Sequence, residues 1–307
     1  MPEFPNLTTN IVDDPYPEMI FNIKTSTFKP AMGSLRTGRR LCIGALFALA
    51  ANHGAVLWAT AAHAAENPTE DMLAIPAGSF RMGNDQGEAD ERPAHSVTLA
   101  AFAIDRLPVT NAQFARFLDA IGPRDAQGRR FYDDDDSDAR IHRGSGRWLA
   151  DRGYENHPVN EVSWAGARAY CAWRNARLPT EAEWEKAARG TDARRYPWGD
   201  AAPDVTRAHF GAGFNVTKAA GTQPGGASPY GMQDAAGNAW QWVSSAYRPY
   251  PWRADDGRED PDADVVRATR GGGHDSPATE ITTTQRGRTL SRNPRAGHHN
   301  IGFRCAR

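Results

Sequence analysis

Between positions 72 and 104 apolar and polar residues alternate with a period near two. Residues 72–80, MLAIPAGSF, read as a strand that turns at Gly78. Residues 95–104, HSVTLAAFAI, read as a second strand with β-branched and aromatic content. The period then lengthens. After Thr110, the side chains of Phe114, Phe117 and Leu118 share one helical face, Gln113 holds the capping-box position, and Gly122-Pro123 ends the run. A second helix is expected from a Ser163 cap to about Ala176, where Arg177-Leu178-Pro179 breaks it. A third begins after Thr180 with Glu183 three residues on, turns Trp184, Ala187 and Ala188 inward, and stops at Gly190. Glu181, Glu183 and Glu185 lie in its opening turns, where carboxylates offset the helix dipole; capping rather than catalysis is their expected role. Past the aromatic turn Tyr196-Pro197-Trp198-Gly199-Asp200, only short strands and loops are expected.

Two acidic stretches interrupt this pattern. Residues 123–156 carry Asp133 to Asp136 and Asp138, and residues 254–264 read ADDGREDPDAD. The first invites a calcium reading, but no Gly stands at the turn position of an EF-hand loop and no Glu closes one, so both are read as solvated loops.

Composition narrows the class. Gly (29) and Pro (21) are abundant and Trp reaches 9, which suits a loop-rich fold pinned by aromatics. A net charge of −1 gives no footing for a nucleic-acid partner. Residues 1–64 look like an upstream extension plus a secretory signal. Arg36, Arg39 and Arg40 precede an apolar run, small residues stand at Ala62 and Ala64, and Met32 is an alternative start. Asn52 and His53 interrupt the run, which argues against a stable membrane anchor; the paired arginines leave Sec and twin-arginine export both open. The expected location is the periplasm. Cleavage leaves one domain, residues 65–307, with Cys171 and Cys305 as its thiols. In an exported protein these most simply form one disulfide, two buried free thiols being the alternative.

Six segments, taken together, resemble the formylglycine-generating enzyme / sulfatase-modifying factor family. They are IPAGSFRMG (75–83), IDRLPVTNAQF (104–114), HPVNEVSWAGARAYCAWRNARLPTEAEWEKAARG (157–190), YPWGD (196–200), YGMQDAAGNAWQWVSSAY (230–247), and RGGG with HHNIGFRCA between 270 and 306. The resemblance implies an α+β single domain related to the C-type lectin fold, low in regular secondary structure. It also implies that Cys171 and Cys305 pair. A structural calcium would sit on Asp234, Gly237, Ala239 and Gln241, with a tight hydrogen-bonded turn as the alternative; a second calcium site of the family is expected to be lost between His209 and Gln223.

The departure from the family lies after Arg270. Members that make formylglycine hold copper(I) on two cysteines there, and the matching positions are Ser276 and Ile281. Neither is a soft ligand or a disulfide-exchange partner, so copper is not expected. The resemblance runs instead toward a cysteine-poor branch of exported proteins in pyoverdine-type siderophore maturation. Members that insert sulfur in ergothioneine synthesis carry iron on an added helical domain, for which this chain has no length.

The expected cleft is walled by Trp240, Asn238 and Asn300, which would bind substrate. His274, Ser276, Glu280, Arg286, Arg288 and His299 are the candidate catalytic residues, with Asp275 and His298 nearby. A histidine or carboxylate would take a proton from a phenolic or dihydroquinoline-like substrate before oxidation, and arginines would suit an oxygen-rich one. Adjacent histidines point apart, which speaks against one ion held by both His298 and His299. The reading is an exported oxidase-like tailoring protein, monomeric, acting on a small-molecule or peptide substrate. A non-catalytic ligand-binding or scaffold module, or a sulfatase-modifying enzyme with a rebuilt site, are the alternatives.

Overall fold

A computed structural model describes residues 71–287 and 293–307. The signal and anchor readings, the start site and Arg288 lie outside the described residues. The alternation seen in the sequence resolves into four strands. β1 (Met72–Ile75) pairs antiparallel with β4 (Phe102–Asp105), while β2 (Gly78–Met82) pairs with β3 (His95–Leu99). The first expected strand therefore breaks before Gly78, at Pro76-Ala77, because proline has no N–H to give to a ladder.

The three helices start where their caps stand. In α1 (Asn111–Ile121) Thr110 and Gln113 form a capping box, and Gly122 closes the helix. α2 (Trp164–Trp173) begins at Ser163, whose side chain accepts from Gly166 N–H, and ends three residues earlier than expected, at a cap on Arg174. α3 (Glu181–Arg189) has the Thr180–Glu183 capping box and ends at Gly190. Between α1 and α2 the acidic stretch folds back as a hairpin, β5 (Ile141–Gly144) with β6 (Arg147–Ala150).

The C-terminal half is organised by β7 (Trp240–Ala246). It takes β8 (Arg267–Arg270) antiparallel on one side and β9 (Ile301–Phe303) parallel on the other. β7 and β9 carry Trp240, Trp242, Ile301 and Phe303 into the largest apolar cluster, shared with α1 and α2. The disulfide Cys171–Cys305, Cα atoms 5.6 Å apart, fastens the chain after β9 to α2 and closes a loop of 134 residues. Loop-closure entropy for so long a loop gives about 4–5 kcal/mol as an upper value. No helix among the described residues is long and apolar enough to cross a membrane.

α3 corrects the sequence reading of its acidic residues. Glu183 caps and also pairs with Arg177, but Glu181 and Glu185 are fully buried ion-pair partners. Arg270 donates to Glu181 Oε1 (3.1 Å) and Glu185 Oε2 (2.6 Å), and Arg286 donates to both oxygens of Glu181 (2.7 and 3.1 Å). Arg189 reaches Glu185 from one turn on, at 3.1 Å. The Tyr247 and Tyr250 rings lie 4.4 Å from the Arg286 guanidinium. This network ties α3, β8 and the 283–286 segment together.

Candidate functional site

The glycine run after β8 sets up a sharp loop. Gly271 and Gly272 have φ of +99° and +79°, and a Cβ on Gly272 would stand 2.7 Å from Ile281 and 2.8 Å from the Glu280 carbonyl. Only glycine allows both the dihedral and the approach. The loop then delivers three groups to one place: His274, Asp275 and, from the turn before β9, His299. A ligand atom of each lies within 4.8 Å of the other two.

Each of the three is held from behind. His274 is 0% exposed; its Nδ1 lies 2.9 Å from the Asn238 carbonyl, which can only accept, so Nδ1 carries the proton. Its Nε2 is buried without a hydrogen-bond partner. Burial pushes the His274 imidazole below its ordinary value, only partly offset by the Asn238 contact, so the ring is neutral at pH 7. Asp275 Oδ2 lies 3.1 Å from His299 Nε2, and the Asn300 amide donates to both Asp275 oxygens at 3.1 and 3.0 Å. Burial pushes the Asp275 carboxyl up, but the hydrogen bonds from His299 and Asn300 outweigh it and hold it at about 2. Asp275 is thus a carboxylate at any physiological pH. His299 and Asp275 are partly open to solvent, with side chains 21% and 31% exposed, while His274 forms the floor. The Phe214 ring, 64% exposed, packs against His299 at a tilt of 36°, centroids 4.1 Å apart. The His209 ring lies 6.4 Å from that of His274.

The other expected site residues are placed elsewhere. Ser276 is buried, its Oγ accepting from Gly273 N–H at 3.1 Å, so its hydroxyl closes the turn instead of facing substrate. Ile281, at the second cysteine position, sits in an apolar cluster with Tyr196, Ala208 and Ala236. Glu280 stands exposed on the 3₁₀ turn Ala278–Glu280, outside the His–Asp cluster. Arg286 is 1% exposed and spends its guanidinium on Glu181 and on the carbonyls of Asp90 and Arg248; it belongs to the buried ion-pair network, not to a cleft. Trp240, Asn238 and Asn300 are at most 3% exposed and so support the site instead of lining it. Asn238 clasps Lys218 through both halves of its amide, and Trp240 packs beneath Gly273. His298 does diverge from His299, toward Trp242. A polar cleft of about 590 Å³ runs past Arg92, Arg195, Thr282, Thr284 and Gln285 and includes none of the three clustered residues.

The calcium that the resemblance implied does not fit the residues at its expected turn. With Ser276 in a turn and Ile281 in the core, neither of the family's cysteine positions offers a thiol to copper(I). At the expected calcium set, Gln241 Oε1 already accepts from Trp184 (2.8 Å) and from Arg304 (2.6 Å). The fully buried Arg304 also donates to the carbonyls of Gln233 and Asp234. A guanidinium at this turn supplies the positive charge, and Gln241 has no oxygen lone pair left to offer a second cation. The turn is hydrogen-bonded instead: Gln241 Nε2 donates to the Asp234 carbonyl (2.7 Å), Asp234 Oδ2 accepts from Gly221 (2.6 Å), and the Gly237 carbonyl accepts from Ala239.

Comparison with known proteins follows this geometry. The model of the sulfatase-modifying factor enzyme 1-like domain matches residues 58–307. The chain belongs to this family. It is 34% identical to the formylglycine-generating enzyme of Streptomyces coelicolor, over 78% of this chain and 89% of that protein. It is 41% identical to hercynine oxygenase of Mycolicibacterium thermoresistibile, over 53% of this chain and 40% of that one. It is 38% identical to the serine/threonine-protein kinase pkn1 of Chlamydia pneumoniae over 77% of its own length, but spans only 38% of the length of that relative. Among solved structures, PvdO from Pseudomonas aeruginosa superposes with a TM-score of 0.57 at 24% identity, covering 77% of this chain and 93% of PvdO. That likeness establishes the shared fold, a mixed α+β single domain.

Phe214, His209 and Asn160 were not singled out in the sequence. Asn160 donates to the carbonyl of Asp138 and toward that of His299, joining the hairpin region to the site. A glycine-rich aromatic run, HFGAGF at 209–214, was the available signal for the first two.

Proposed function

We propose that this member of the family is an oxidase-type tailoring protein acting on a siderophore or other peptide-derived small molecule, at the open face of Asp275 and His299. The observation that carries the reading is the exchange of chemistry within one loop. The two cysteine positions are a turn serine and a core isoleucine, while an ionised carboxylate, an imidazole and an exposed aromatic ring converge beside them. The named activity of the hercynine oxygenase relative supports oxidation over hydrolysis.

A phenolic or dihydroaromatic substrate would lie against Phe214, which supplies a flat apolar face. The Asp275–His299 pair takes one proton, and the anion so formed gives up electrons more readily. The net reaction removes two hydrogens from the substrate and passes them to dioxygen, giving hydrogen peroxide. The disulfide fits work outside the cytoplasm, where such bonds persist. Deleting the gene and profiling metabolites by mass spectrometry tests the reading. It expects a precursor richer by two hydrogen atoms to accumulate. An unchanged profile would overturn it.

A further inference from the structure

Within this site, and resting on the oxidative reading above, we propose that His274, Asp275 and His299 bind one divalent transition-metal ion, with open coordination positions for substrate. The ligand atoms are already gathered within 4.8 Å of one another, close enough for a single ion to bridge them after small rotations. Two imidazoles and one carboxylate form a borderline donor set. It suits iron(II), cobalt(II), copper(II) or zinc(II), and it lacks both the all-oxygen cage of calcium and the thiolates of copper(I).

Two features beyond the cluster point to an ion. First, the buried Nε2 of His274 is a lone pair with no donor in reach, in a ring that is 0% exposed. The Asn238 carbonyl takes the Nδ1 proton and so fixes the tautomer that leaves Nε2 free to coordinate. Second, the groups behind the ligands have the form usual around metal-bound residues. A backbone carbonyl holds the distal N–H of one histidine, and an amide, that of Asn300, orients the carboxylate. With three protein ligands, the remaining positions face the partly exposed side, where His299 meets Phe214. A substrate carrying adjacent phenolic oxygens would bind there as its anion; with Asp275 and His299 engaged as ligands, the ion takes over their part in deprotonation and the proton leaves to solvent as the oxygen–metal bond forms. The ion would then replace the Asp275–His299 hydrogen bond.

The test is a cobalt(II) titration of the untagged, disulfide-bonded full chain, read by visible absorption, with copper(II) electron paramagnetic resonance as a second readout. One saturable equivalent should bind, with nitrogen hyperfine structure in the copper spectrum. His274→Ala and His299→Ala should each raise the apparent Kd at least about tenfold. His298→Ala should leave it unchanged, and thermal melts of every variant identify any that fail to fold. The proposal is overturned if no saturable binding occurs, if the folded His274→Ala/His299→Ala double variant still binds, or if His298→Ala abolishes binding. Its failure is separable from that of the oxidative reading. Oxidation by metal-stripped protein without cobalt binding withdraws the metal alone, whereas cobalt binding with an unchanged metabolite profile withdraws the oxidation alone.

Discussion

Two regions built from the same C-terminal segment treat charge in opposite ways. In the buried frame, Arg270 and Arg286 meet Glu181 and Glu185 at hydrogen-bonding distance, out of water, with two tyrosine rings over Arg286. A few residues away, His274 keeps a buried nitrogen unpaired, and Asp275 and His299 face solvent. Ion pairs so enclosed are costly to break, so they hold the loop in place. Groups left partly unsatisfied on that scaffold are the ones available to a ligand. The comparison teaches that arginines in a family's site segment can be wholly structural, while the reactive groups are the few that the frame leaves open.

The sharpest way to break this comparison is to cut the frame. Reduction of Cys171–Cys305, or Cys171→Ser, should lower stability by up to about 4–5 kcal/mol in denaturant unfolding. Glu181→Ala, which takes the carboxylate from buried Arg286 and one of two from Arg270, should cost about 3–5 kcal/mol. Asp275→Asn, on the open side, should cost about 1–2 kcal/mol at neutral pH. If the last two were reversed in size, the division between frame and site would be wrong.

A third region sharpens the comparison through pH. Asp136, Asp138 and Glu161 bring three carboxylates within 4.8 Å, and burial first, then Asp136, Asp133 and Asp138, push Glu161 up to about 8. A carboxyl with a raised folded value holds its proton more tightly when folded than when unfolded. Stability from this group is therefore full below the ordinary value of 4.5 and falls as pH rises toward about 8. Glu161→Gln should raise the Tm near pH 8, do little near pH 4.5, and flatten the slope between. A lower Tm near pH 8 would contradict that strain. A small effect is expected in the frame's own helix: Thr180→Ala removes the α3 cap and should cost about 1 kcal/mol.

Much of this was legible in the chain because it depends on local chemistry. Thr110, Ser163 and Thr180 fixed the helix starts, since a cap acts within three residues, and LPTEAEWE with GFRC carried the family and its disulfide. Ser276 and Ile281 stand where the family's two cysteines would be. What could not be read was which polar residues would be paired across the fold. Glu181 looks like a first-turn carboxylate until Arg286, 105 residues away, is seen to meet it. Gln241 looks like a calcium ligand until Arg304 occupies its oxygen. Asn238, Trp240 and Asn300 lie near the His–Asp cluster but are buried, not open to substrate as the motif suggests, because burial is a property of packing that a motif does not carry.

The central claim is that function in this chain has moved from the cysteine positions to the His–Asp cluster. It is tested most directly by complementing the deletion strain with His299→Ala or Ser276→Ala, each checked for a wild-type melt. The account predicts that Ser276→Ala clears the accumulated precursor while His299→Ala leaves it in place. Clearance by His299→Ala together with failure by Ser276→Ala would contradict it.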